Sequence, residues 1–170
     1  MSHSLEQQSV LPEVDSMAFR QVLGSFATGV TVVTALAPDG KWIGLTVSSF
    51  NTVSLTPPLI LWSLSKSSLH LADFLAAKRY AVNVLSFQQK SLSDRFAARE
   101  EDRFAGVAVQ EGLGGVPLLD ACCASFECTN EHHYAGGDHL IFVGRVQRFS
   151  RGPSQSPLIF HDGSYRRLSL

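Results

Sequence analysis

Apolar residues follow two different periods along this chain, one near its start and another through most of the rest. Phe19, Val22, Leu23 and Phe26 stand at i, i+3, i+4 and i+7 behind Asp15 and Ser16. That spacing predicts one apolar helix face, with a side chain ahead of it able to cap free N–H groups. The predicted helix packs this face on a sheet. From Gly29 the texture changes. Val30, Thr31, Val32, Val33 and Thr34 are β-branched throughout, Pro38-Asp39-Gly40 forms a turn, and a second run follows from Trp42 to Phe50. Further strands are predicted over Leu59 to Leu64, Tyr80 to Leu85, Ala121 to Thr129, His139 to Phe149 and, more weakly patterned, Leu158 to His161.

Two helical patterns interrupt the strands. Ser67 to Ala77 carries Leu71, Phe74 and Leu75 on one side, and Gln88 to Ala98 carries Leu92 and Phe96. Ser86 and Gln89 have the spacing of a capping box ahead of the second. Six or seven strands with few helices predict a mainly β barrel with short helices at its rim. Strands and helices do not alternate regularly, which argues against a parallel α/β sheet. A chain of 170 residues is long enough for one domain and short for two. Residues 1–14 are expected to form a disordered tail and 15–170 a single domain.

Composition removes several classes of function. The 14 Lys+Arg against 15 Asp+Glu leave no basic excess for a nucleic acid backbone, and Ala98 to Arg103, the densest charged stretch, mixes signs. No segment approaches the ~20 apolar residues that span a bilayer, and the first thirteen residues lack a signal-peptide pattern. No membrane partner and a cytoplasmic location are therefore expected. Cys122, Cys123 and Cys128 are odd in number and two are adjacent, which suggests buried reduced thiols rather than a disulfide framework.

Small hydroxyl residues mark the candidate chemistry. Thr46, Ser48, Ser49, Thr52 and Ser54 lie on and after a predicted strand. They are either the solvated hydroxyls of an edge strand or donors to phosphate or ribityl oxygens. Ser63, Ser65, Lys66, Ser67 and Ser68 stand ahead of a predicted helix, where a serine cap with free N–H groups and a nearby lysine makes either a simple cap or an anion site. No Gly-x-Gly-x-x-Gly, Gly-Lys-Ser or Gly-x-Ser-x-Gly occurs where a nucleotide fold or a serine hydrolase needs it. The spacings among Cys122, Cys123, Cys128, His132 and His133 match no usual zinc pair, so no metal is expected. His139, in Gly136-Gly137-Asp138-His139, opens a strong strand beside flexible glycines and can reach a ligand, or can be a structural histidine. Tyr165 has the same ambiguity.

Five stretches, taken in order, resemble the short-chain NAD(P)H:flavin reductases: FRQVLGSFATGVTVVT from Phe19, GLTVSSFNTVSLTPP from Gly44, YAVNVLSFQQKSLSDRFA from Tyr80, FECTNEHHYAGGDHLIFVG from Phe126 and PLIFHDGSYRRL from Pro157. The resemblance implies an FMN-binding split β-barrel and a homodimer holding FMN or FAD, with NADH or NADPH as electron donor. It also implies a partner flavin-dependent monooxygenase served through diffusing reduced flavin. On the same basis Thr46, Val47, Ser48 and Ser49 meet the flavin, and Ser63, Ser67 and Ser68 bind its ribityl and phosphate end. Asn83 is a flavin neighbour. His139, in the Gly-Asp-His motif, positions the nicotinamide, with Tyr165 close by. Arg95, Arg99, Arg145 and Arg148 are available to a 2′-phosphate. The doubled Cys122-Cys123 departs from the small residues usual there without changing the expected fold. The nearest alternative is an electron carrier on the same barrel that keeps FMN tightly. A pyridoxine-type oxidase and a non-enzymatic interaction domain stand further away.

Overall fold

The carboxylate of Asp15 accepts N–H bonds from Met17 (2.8 Å) and Ala18 (3.3 Å), capping helix α1 (Ser16–Gly24) as its sequence predicts. In the computed structural model, which describes residues 14–99, 102–154 and 156–168, this helix does not lay its apolar face on the sheet. Phe19 is 54% exposed, Val22 69% and Phe26 72%. The strand at Thr31–Leu36 offers it no surface, being buried along nearly its whole length by the chain's own residues. What ties α1 down is its C-terminal end, where the Asp162 N–H donates to the Gly24 carbonyl at 2.9 Å. The tail expected over residues 1–14 lies, Val14 apart, outside the described residues.

Twelve strands follow among the described residues: β1 (Thr28–Gly29), β2 (Thr31–Leu36), β3 (Trp42–Val47), β4 (Asn51–Leu55), β5 (Pro58–Ser65), β6 (Arg79–Val84), β7 (Val109–Glu111), β8 (Pro117–Leu119), β9 (Ala124–Gly136), β10 (His139–Arg151), β11 (Ile159–His161) and β12 (Ser164–Arg166). Helix α2 (Leu71–Ala76) is shorter than its predicted span, and α3 (Lys90–Ala97) follows a 3-10 turn over Phe87–Gln89. The capping box ahead of that turn is formed, with the Ser86 N–H donating to Gln89 Oε1 at 2.9 Å. Seven strands make one antiparallel sheet in the order β3-β2-β6-β9-β10-β5-β4, flanked by β1-β11-β12 and by the pair β7-β8. The fold is mainly β with short peripheral helices, as its patterning predicts.

Burial on both faces explains the unbroken β-branched run of β2. Val33 and Ala35 belong to a core with Trp62, Phe74, Tyr80 and Phe142 inside the curled sheet, whereas Val32 joins Val30, Leu85, Phe96 and Leu158 outside it. The inner core centres on Trp62, stacked on Phe142 (centroids 4.5 Å, planes 15° apart) and edge-on to Phe74 and Tyr80. Gly144 on β10 admits this cluster. A Cβ there would stand 2.7 Å from Tyr80 Cζ, closer than carbon atoms pack. Among the described residues no helix is long and apolar enough to cross a membrane.

Candidate functional site

The curled sheet closes incompletely. Beyond the end of β3, Ser49 Oγ accepts the Ser63 N–H of β5 at 2.9 Å and donates to the Ser63 carbonyl at 3.2 Å. A side chain thus completes the ladder where the last β4–β5 pairing, at Asn51 and Leu61, has stopped. Beside this seam lies a cleft of about 440 Å³, walled by the end of β3 (Leu45, Thr46, Val47) with Ser48 and Ser49, and by the end of β5 (Ser63, Leu64, Ser65). The C-terminal end of α3 supplies Phe96 and Ala97, the turn before α2 supplies Ser68 and His70, and Arg103 and His139 complete the lining. Its volume lies within the ~300–1,000 Å³ usual for ligand pockets, and its lining is rich in hydroxyls, with apolar side chains from β3, β5 and α3 between them.

The structure therefore brings together Thr46, Val47, Ser48, Ser49, Ser63, Ser68 and His139 of the residues singled out in the sequence. Their chemistry is unequal. The Thr46 hydroxyl is used to hold α3, donating to the Ser93 carbonyl at 2.7 Å. Val47 gives its carbonyl to the buried Thr31 hydroxyl at 3.1 Å. Ser49 is committed to the seam, whereas Ser48 is exposed at the mouth.

His139 sits where the β9–β10 hairpin turns, with Gly137 at φ 65° making the turn possible. Asp138 Oδ1 is 2.8 Å from His139 Nδ1 and accepts a hydrogen bond when that nitrogen carries the proton. This bond and the imidazole's charge hold the Asp138 carboxyl below its usual value. Lys66 fixes the same turn. Its Nζ donates to the Gly137 carbonyl at 2.6 Å and its N–H to the Asp138 carbonyl at 2.9 Å. So the lysine expected to serve an anion at a helix start instead pins the loop that presents His139.

The second hydroxyl patch also differs from expectation. Helix α2 begins at Leu71 with His70, not a serine, at its cap position and no side-chain cap bond. The serines bond to one another in a turn: Ser65 Oγ is 2.8 Å from Ser67 Oγ, and the Ser68 N–H donates to the Ser65 carbonyl at 3.0 Å. Ser67 is exposed and is not among the residues lining the cleft.

Asn83 lies away from the cleft. It is fully buried, its Nδ2 donating to the Val32 carbonyl and Thr34 Oγ1 (both 3.1 Å) and its Oδ1 accepting the Leu119 N–H (3.0 Å). These bonds join β2, β6 and β8. Nor does Tyr165 line the cleft. Its hydroxyl donates to Asp94 Oδ1 (2.9 Å) and meets Ser93 Oγ (2.8 Å), fastening α3 to the C-terminal hairpin. Both residues support the walls rather than reach the space between them. Burial pushes the thiols of Cys122 and Cys128 up to about 12, and all three cysteines are free. Among the described residues no three His, Cys, Asp or Glu side chains gather to hold a metal.

Three of the four arginines considered for an anion are engaged elsewhere, and Arg99 is exposed and does not line the cleft. Arg145 pairs with Glu131, Arg148 with the buried Glu127, and Arg95 donates to the Ala105 carbonyl. The cation in the cleft wall is Arg103, which donates to the carbonyls of Gly44 (2.7 Å) and Ala98 (2.5 Å) and lies 3.2 Å from His70 Nε2. Neither Arg103 nor His70 is legible as a site residue in the sequence. Arg103 belongs to a sign-mixed stretch that reads as solvated surface, and His70 is a lone histidine without periodicity. The path of the chain after α3 brings them together.

The model of the flavin reductase like domain matches residues 23–169. An FMN reductase (NADH), SmoA of Agrobacterium fabrum, is 44% identical over 155 residues, covering 91% of this chain and 87% of its own. The monooxygenase reductase subunit HsaB of Rhodococcus jostii is 39% identical over 152 residues, covering 89% and 77%. A longer flavin reductase relative from Rhizobium meliloti is 48% identical over 135 residues, and the match spans 43% of that protein's length and 79% of this chain. Among solved structures, the NADH:FAD oxidoreductase SgcE6 of Streptomyces globisporus, in complex with NAD and FAD fragments, superposes with a TM-score of 0.86 at 36% identity, over 91% of this chain and 93% of that one.

Proposed function

The chain belongs to the flavin reductase-like family, and on that premise we propose that it is an NAD(P)H:flavin oxidoreductase that reduces FMN or FAD in the cleft between β3 and β5. The observation that carries the reading is the cleft's lining. Half-buried Leu45 and exposed Ala97 offer apolar area to a flat ring, while the serine hydroxyls, with the Arg103 guanidinium in the wall, suit a polar, phosphorylated tail. The ligands supply the redox chemistry: a hydride passes from the nicotinamide to the flavin, which takes a proton with it, and NAD(P)+ is left. The chain's part is to hold two rings face to face and keep water from between them. Ser48 and Ser63 orient the flavin's polar edge and tail, and the loop held by Lys66 presents His139 to the nicotinamide. No side chain has to act as a strong acid or base.

Reduced flavin then diffuses to a flavin-dependent monooxygenase, a partnership supported by relatives that are themselves reductase subunits of such enzymes. The uncovered apolar face of α1 (Met17, Phe19, Val22, Leu23) supports a homodimer in which a second copy buries it. A cytoplasmic location follows from the supply of reduced nicotinamide and from three free thiols.

The test is to follow loss of reduced-nicotinamide absorbance with NADH or NADPH and excess free FMN or FAD. Turnover that depends on added flavin is expected, with His139→Ala raising the KM for the nicotinamide nucleotide more than that for flavin. A protein that binds flavin tightly yet turns over none of these pairs would refute the reductase and leave an electron carrier.

A further inference from the structure

We propose that Lys66 is a coupling residue: it ties the turn beside the flavin's tail to the hairpin that presents His139, so that flavin and nicotinamide nucleotide each raise the other's affinity through it. The proposal rests on the flavin reading above and adds to it the means by which the two ligand positions communicate.

Two stretches far apart in the chain meet at Lys66. Its own stretch is the turn between β5 and α2, where Ser65 and Ser68 line the cleft. The other is the β9–β10 hairpin, whose His139 lines the same cleft. Strand pairing between β5 and β10 ends with His139 opposite Ser65. One residue further, the Lys66 N–H donates to the Asp138 carbonyl at 2.9 Å and Nζ donates to the Gly137 carbonyl at 2.6 Å. A main-chain bond and a charge-assisted side-chain bond thus fasten two consecutive carbonyls of the hairpin tip to the turn.

Neither piece is anchored in the core. Among the described residues 65–70 and 136–139 none is buried. At the hairpin tip a Cβ on Gly137 would meet nothing within 4 Å. Within the turn the side-chain bonds run to serine hydroxyls, from Ser65 Oγ to Ser67 Oγ at 2.8 Å and from the His70 N–H to Ser68 Oγ at 3.3 Å. Segments with so little buried contact open locally at small cost in free energy, and these two are fastened to each other. A ligand that orders the turn leaves less conformational entropy to be lost when a second ligand orders the hairpin, and the effect is reciprocal. The Lys66 N–H bond continues the β5–β10 pairing and survives any side chain at 66. The ammonium bond does not, so substitution there loosens the link without parting the strands.

FMN and lumiflavin share the ring, but lumiflavin carries a methyl group where FMN carries its tail. The affinity of each is measured by flavin fluorescence with and without saturating NAD+ or NADP+, matched to the preferred donor, which fills the nicotinamide position without reducing the flavin. The ratio of the two affinities is the coupling factor. Ring stacking enters the factors of both flavins, so their difference isolates the tail and the turn it touches. In the wild type the FMN factor should exceed that of lumiflavin about two- to fivefold. Lys66→Met should bring it down to the lumiflavin value and leave lumiflavin's own factor unchanged, and Lys66→Arg should restore most of it. FMN without nucleotide should also slow amide exchange over residues 137–139 in the wild type, and do so less in Lys66→Met. Equal factors for FMN and lumiflavin in the wild type, or equal FMN factors in the wild type and Lys66→Met, would overturn the proposal while leaving the reductase intact. An equal loss for both flavins would make Lys66 a support of His139 alone and overturn it too. Weaker FMN binding by Lys66→Met with its coupling factor unchanged would make the lysine a flavin ligand instead, again overturning it. Failure of the wild type to bind either flavin, with no flavin-dependent oxidation of NADH or NADPH, would overturn the reductase reading itself.

Discussion

Ser49→Ala takes away both groups that face Ser63 across the mouth of the cleft, the acceptor of its N–H at 2.9 Å and the donor to its carbonyl at 3.2 Å. A buried polar group stripped of its partner costs about 1–3 kcal/mol. Both residues are half-buried and the cleft admits water, so the lower part of that range, about 1–2 kcal/mol, applies. For a domain of this size the melting temperature should fall by about 2–8 °C. Amide exchange gives the sharper measurement. If the hydroxyl holds the end of β5 closed, the Ser63 N–H of the variant should exchange about 5–30-fold faster. Ser48→Ala, one residue earlier but exposed, is the control and should stay within about 0.5 kcal/mol of the wild type. Flavin affinity should fall with Ser49→Ala, because the walls lose their relative placement. Unchanged Ser63 exchange in the variant would refute the seam as the element that sets the cleft's width.

Three further outcomes follow from particular contacts. Gly44→Ala puts a Cβ 2.7 Å from Phe96 Cε1 and 3.2 Å from Phe104 Cζ. Such overpacking should cost about 1–3 kcal/mol in a denaturant titration, and Phe96→Leu in the same chain should return part of it. Tyr165→Phe breaks the clamp on Ser93 and Asp94; it should weaken flavin binding about two- to tenfold while leaving the KM ratio of NADH to NADPH unchanged, and a shift in that ratio would show a direct contact with the nucleotide. On acidification below about pH 6.5 the lowered proton affinities of His70 and His133, caused first by burial, should reduce stability. The unfolded chain binds those protons more readily, so stability increases with pH across that window and is lost as pH falls. A melting temperature that is no lower at pH 5.5 than at pH 7.5 would contradict this.

Local pattern was enough wherever one physical cause acted alone. The β-branched run of β2 reads as a strand because both its faces are buried, and Asp15 and Ser86 read as caps because a short polar side chain ahead of a helical period has few other uses. Thr46, Ser48, Ser49 and His139 read as candidate site residues and do line one cleft. Partnership across long stretches of chain was not legible. β9 runs on through polar Asn130 to Gly136 because β10 pairs with it, and β4 exists because β5 offers it an edge. Asn83 and Tyr165 enter as ligand neighbours through the family resemblance, and their hydrogen bonds to Leu119 and Asp94 make them supports of the walls.

Periodicity, capping and motif order, which are written residue by residue, thus carried the main strands, the mainly β class and the family. Which polar groups share a cavity was settled by the folding of distant segments onto one another: it set Arg103 against His70 in the cleft wall, turned Lys66 to the hairpin of His139, and left the apolar face of α1 uncovered. Those choices depend on how the sheet curls and where the chain returns after α3, and a contact made by such a return leaves no mark on the spacing of the residues that make it.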